Sequence, residues 1–121
     1  MGSLREVEIE GNALVDMLLK VEERLGNAAR AGEQLGNEEL VRAARETAVL
    51  VSNIRAGLTP LLSLVSRGSM LAAREEACSL GRKLWKMHVR MEEEAPIYFR
   101  RMVLEALVMV IGYVEKICKG Y

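Results

Sequence analysis

Apolar residues recur every three to four positions from one end of this chain to the other, and no segment alternates with the period of two that a strand requires. That pattern restricts the chain to α-helices packed on α-helices. The first stripe is Leu14, Leu18, Val21, Leu25 and Ala28. The second is Leu40, Ala44, Thr47, Val51 and Ile54, and Leu58, Leu61 and Val65 continue it in register. The third is Met70, Ala73, Ala77, Leu80, Leu84, Met87 and Met91. A chain of 121 residues fits one domain. The expectation is a single all-α domain over 1–121, an antiparallel helical bundle of four to five helices.

Local signals set the expected boundaries. Ser3 with Glu6 forms a capping-box pattern for a short first helix, Gly11 breaks it, and Asn12 caps the next. Gly32 ends that helix in the left-handed conformation. Asn37, followed by Glu38 and Glu39, opens the second long element, where early carboxylates complement the helix dipole. Gly57, Thr59 and Pro60 then predict a kink near Pro60, or two helices nearly in line. Ser69 caps the third element and Ala95-Pro96 ends it, because proline disfavours helix at the residue before it. A last helix follows from about Pro96 to Lys119 and stops at Gly120.

That last helix carries the most information. From Met102 to Val114 only Glu105 and Gly112 are not apolar. A helix hydrophobic nearly all round is either central in its own bundle or shared with a partner. Its apolar run is short for a bilayer and Glu105 interrupts it, so no membrane association is expected. Self-association through Met102 to Cys118 is the expected outlet for the surplus.

Charge excludes further classes. Lys plus Arg equals Asp plus Glu at 17 each, so the chain is no polyanion binder and nucleic acid is not an expected partner. Residues 1–60 hold 7 basic and 10 acidic side chains and residues 61–121 hold 10 and 7, a mild polarity of −3 against +3. One His and two widely spaced cysteines, Cys78 and Cys118, exclude zinc-finger, haem-attachment and disulfide-framework readings. Both cysteines, with Trp85, read as packing residues, and a reducing cytoplasm is the default compartment. Arginine outnumbers lysine 12 to 5, a lean toward a thermophile.

Catalytic arrangements are sparse. His88 is the only imidazole, and Arg82 lies six residues before it, the spacing of HEPN-type ribonucleases. Arg-rich helices produce such pairs by chance, and a surface or boundary histidine is the preferred reading. A phosphotransfer histidine is rejected, because Glu92, Glu93 and Glu94 would repel a phosphoryl group. A di-iron site needs a Glu three residues before a His, and His88 has none. No phosphate loop or nucleophile elbow is present. No cofactor or metal is expected, and the chain reads as an interaction domain, not an enzyme.

Three segments, in order, resemble the N-terminal helical domain of one family. They are Val7-Glu8-Ile9-Glu10-Gly11-Asn12-Ala13, Arg45-Glu46-Thr47-Ala48-Val49-Leu50-Val51-Ser52-Asn53, and Tyr98-Phe99-Arg100-Arg101 leading into a helix that ends at Lys119-Gly120. The family comprises the alpha, beta and delta regulatory subunits of translation initiation factor 2B and the isomerases of ribose 1,5-bisphosphate and methylthioribose 1-phosphate. The resemblance implies a regulatory or assembly domain that binds protein, with motif positions Glu10, Gly11, Asn12, Arg45, Thr47, Asn53, Arg100 and Arg101. Arg100 and Arg101 are candidate contacts, though pairing with the Glu92–Glu94 run is the simpler expectation for both. The family's isomerases hold a substrate phosphate with an arginine where this chain has Glu10, and its catalytic Cys and Asp belong to a Rossmann-like domain with no counterpart in this sequence. The alternatives are the N-terminal lobe of a sugar-phosphate isomerase, a HEPN-like ribonuclease using Arg82 and His88, and an unrelated homodimeric helical bundle.

Overall fold

A computed structural model describes residues 4–120. Four α-helices account for nearly all of them: α1 (Leu4–Leu35), α2 (Glu38–Ser66), α3 (Met70–Glu94) and α4 (Arg100–Cys118), with a single 3₁₀ turn at Ile97–Phe99. The described residues contain no strand. The chain is an all-α helical bundle, as its periodicity dictates.

Neighbouring helices run antiparallel. Glu8 meets Ser66 and Glu22 meets Arg55 across α1 and α2. Cys78 and Trp85 meet Cys118 and Glu115 across α3 and α4. Leu4 and Val7 share a cleft with Ile117 and Gly120, while Met17 shares another with Val108, so α1 also opposes α4. One continuous core results, with Leu18, Leu25, Val51, Ile54, Leu58, Leu61, Leu84, Leu107 and Ile117 fully buried. The expected stripes are those faces, except that Ala29 is buried where Ala28 was expected and Leu40, Met70 and Met87 are only half-buried.

The reversals use glycine where L-residues are disfavoured. Gly36 and Gly68 sit at φ 67° and 73°. After α1, Gly36 N–H donates to Glu33 at 3.2 Å and Asn37 N–H to Gly32 at 2.8 Å. After α2, Gly68 N–H donates to Val65 and Ser69 N–H to Leu64, both at 3.0 Å. Both are Schellman motifs, which satisfy the last carbonyls of a helix. Asn37 then caps α2 as expected, its side chain accepting from Leu40 N–H at 3.1 Å. Ser69 precedes α3 without a side-chain cap. Ala95 is extended before Pro96, which ends α3 where the sequence requires.

Several expected boundaries are corrected. α1 runs unbroken through Gly11, Asn12 and Gly32. Gly11 is a packing residue: a Cβ there would lie 2.5 Å from the hydroxyl oxygen of Tyr113. Gly32 is likewise buried against the next reversal, with Val41 N and Asn37 O at 3.2 and 3.3 Å from a Cβ position. The Ser3–Glu6 capping box involves Ser3, outside the described residues. Pro60 lies inside α2 without dividing it. It removes the donor for the carbonyl of Ala56, but both residues are exposed and water can serve instead.

The cysteines are the largest departure. Cys78 and Cys118 form a disulfide, Cα atoms 4.8 Å apart, that fastens the end of α4 to α3. They are a covalent staple where packing residues were expected. The reason is register: Tyr98 lies midway between them in sequence, so a hairpin turning there sets them opposite each other.

Candidate functional site

The residues singled out by motif do not converge. Glu10 accepts from Lys116 Nζ at 2.8 and 3.0 Å, an exposed ion pair between α1 and α4. Gly11 lies beneath Tyr113, whose hydroxyl donates to the Val7 carbonyl at 2.9 Å. Asn12 is exposed. Arg45 pairs with Glu33 across the α1–α2 reversal. Thr47 is fully buried and its hydroxyl donates to the Ala43 carbonyl at 2.7 Å, a role inside the helix.

The two arginines at the head of α4 are also committed. Arg100 donates to the Ala95 carbonyl at 2.6 and 3.0 Å and to the Glu93 carbonyl at 3.4 Å. It therefore binds the backbone end of α3, where the dipole favours a cation, instead of the Glu92–Glu94 carboxylates. Arg101 pairs with Glu105 on its own helix at 3.0 Å, which replaces the expected partner.

His88 and Arg82 lie in different surroundings. His88 Nδ1 is 3.4 Å from Glu92, and its ring meets the edge of Trp85 at 5.6 Å. Trp85 in turn donates to Glu115 at 2.6 Å, tying α3 to α4. Arg82 lines a shallow cleft with Cys78 and Cys118. Six residues on a helix place two side chains about 120° apart, and the cleft lined by Arg82 does not include His88. No cluster of metal-ligating residues forms among the described residues. Arg55 holds Glu22 through Nε at 2.7 Å and Nη2 at 3.2 Å, and that hydrogen bond, then the carboxylate's charge, raises its pKa further.

Two of the grooves join apolar walls to exposed charged side chains and are the candidate sites. The larger, about 650 Å³, lies between α2 and α3 at the Ala95-Pro96 end. Val49, Leu50, Met87 and Met91 supply apolar surface, and Lys83, Lys86 and Arg90 flank it. The second, about 440 Å³, lies between α1 and α4, lined by Ala13, Met17, Val108, Met109 and Gly112 beside the Glu10–Lys116 pair. Here α4 shows its surplus: Val108 and Met109 are 53% and 55% exposed while Val103, Leu107, Val110 and Val114 are fully buried. Of the motif positions only Asn53 borders the larger groove. The cation row on α3 was missed by motif reasoning. Its signal was the spacing of Lys83, Lys86 and Arg90 beside the apolar stripe ending at Met87 and Met91.

By length and composition α2, not α4, is apolar enough to cross a bilayer, with a mean hydropathy of 1.5 over its most apolar window. In the fold its buried side is the row Ala44, Thr47, Val51, Ile54, Leu58, Leu61 and Val65. No family model, curated protein or solved structure matches the chain.

Proposed function

We propose that this chain is a non-catalytic helical protein-binding and assembly domain that self-associates through α4. The observation carrying this reading is the pair Val108 and Met109, half exposed on a helix whose other apolar residues are in the core or partly buried against it. Exposed Gly112 follows four residues after Val108, with open space where a Cβ would sit. A partner helix could approach the backbone closely there. A symmetric pair of such faces buries the same residues on both copies.

The resemblance to the N-terminal domains of initiation-factor-2B-like regulatory subunits supports a regulatory or assembly role of this kind. The isomerase-lobe reading loses ground, because Glu10 is an anion already held by Lys116. The ribonuclease reading loses it through the separate surroundings of Arg82 and His88. A cytoplasmic site remains part of the proposal. The Cys78–Cys118 bond ties it to the thermophile reading, since intracellular proteins of hyperthermophiles carry disulfides.

Amide NMR spectra across a dilution series test the interface. Concentration-dependent shifts should concentrate at Val108, Met109, Gly112 and the facing Ala13 and Met17. Spectra that do not change with concentration would reject self-association by this face.

A further inference from the structure

We infer that the α2–α3 groove is a second binding surface, and that its occupant is an acidic amphipathic helix of a protein partner. Three observations carry the inference: an apolar floor, a row of unpaired cations along one wall, and the direction of that row.

The floor is Val49, 60% exposed, with half-buried Leu50 from α2 and half-buried Met87 from α3, and Met91 lies beneath them in the core. Met87 can adapt its shape to varied apolar side chains, which suits a surface that receives a partner. The wall is Lys83, Lys86 and Arg90, all exposed. None of the three makes a hydrogen bond or ion pair with another described residue. These three cations outnumber the two carboxylates of the lining, Glu46 and Glu94, so the groove carries an excess of positive charge beside exposed apolar surface.

The spacing selects the kind of occupant. Residues three and seven positions apart lie along one side of a helix, so the row extends about 10 Å down the groove. A single-headed amphiphile, such as a fatty acid, needs cations gathered at one end of an apolar slot. A row parallel to the floor instead matches carboxylates repeating along the edge of a second helix, with that helix's apolar face on the floor. Glu46 and Glu94 occupy the end of the groove nearest Pro96 and fix a direction. The acidic stretch of the partner lies over Lys83 to Arg90, and its neutral or basic end lies toward Glu46 and Glu94.

This inference rests on the protein-binding reading of function and adds the chemical class of a partner at a separate surface. The test uses the full chain with its disulfide intact and two labelled synthetic helices of about 18 residues. Both carry leucine at heptad core positions; one has glutamate and the other lysine at the flanking positions. Fluorescence anisotropy gives affinities, and amide NMR maps the contact. The glutamate peptide should bind at least about tenfold tighter than the lysine peptide, weaken as salt is raised, and shift residues of the groove. Charge reversal by Lys83→Glu, Lys86→Glu and Arg90→Glu together should invert the preference. Val49→Asp should weaken both peptides, and both variants change exposed side chains whose folding circular dichroism verifies.

Equal affinity for the two peptides, no binding by either, or shifts confined to other faces would overturn the proposal. So would dodecanoate saturating the groove with the same charge dependence while neither peptide binds, which would make a small anionic amphiphile the occupant. Repeating the titration with Met109→Glu separates the readings: loss of self-association must leave peptide binding unchanged.

Discussion

At the scale of single residues, the contact between Gly11 and Tyr113 shows how function-like signals can be structural. The Tyr113 hydroxyl is buried and donates to Val7, and only a residue without a side chain at position 11 admits it. Tyr113→Phe should lower stability by about 1 kcal/mol, the net worth of one buried hydrogen bond. Gly11→Ala should cost more, roughly 1–3 kcal/mol, because the new methyl forces Tyr113 to shift within a packed core. Urea unfolding of the two variants checks the order; equal midpoints would refute the packing role. This contact was not legible in the sequence. A glycine looks the same in sequence whether it ends its own helix or makes room for another, so Gly11 and Gly32 carry the signal of a break while both lie inside α1. Thr47 and Arg45 were likewise noticed as motif positions, while their partners, Ala43 and Glu33, depend on helix geometry and on the fold.

At the scale of elements, the periodic stripes were the legible part. Spacing alone located the buried faces of α1, α2 and α3, because only one face of a helix can be withdrawn from water. Ends followed where a proline or an asparagine acts through its own covalent structure, as at Ala95-Pro96 and Asn37. They failed where several glycines offered the same signal. Gly36, at φ 67°, terminates α1, so Gly36→Ala should destabilise by about 1 kcal/mol. Gly26 lies within α1 with its nearest neighbour, Arg30, 3.9 Å from a Cβ position, so Gly26→Ala should stabilise by about 0.5–1 kcal/mol. Melting temperatures that move in opposite directions verify the assignment. The candidate grooves sit between elements, and for that reason no linear motif revealed them. Val49 and Met87 are neighbours only because α2 and α3 run antiparallel.

At the scale of the whole molecule, two features govern behaviour: the disulfide between α3 and α4, and the apolar surface left on α4. The bridge spans 40 residues, and the chain-entropy relation for such a loop gives about 4 kcal/mol. Cys78→Ser with Cys118→Ser, or reduction, should lower the unfolding midpoint accordingly while the helical circular dichroism persists. An unchanged midpoint would show that the bridge contributes nothing to the fold. The all-α class was legible from end to end, and the pairing of the cysteines became readable only once the α3–α4 turn was fixed. Function was the least legible level, because an interface is a property of exposed side chains that no single helix defines. The most direct test of the assembly reading is the mass in solution, by light scattering across a concentration series. The mass of the native chain should rise above 13.5 kDa with concentration, while Val108→Asp with Met109→Glu should stay at 13.5 kDa throughout. A native chain that stays at 13.5 kDa at every concentration would contradict the assembly reading.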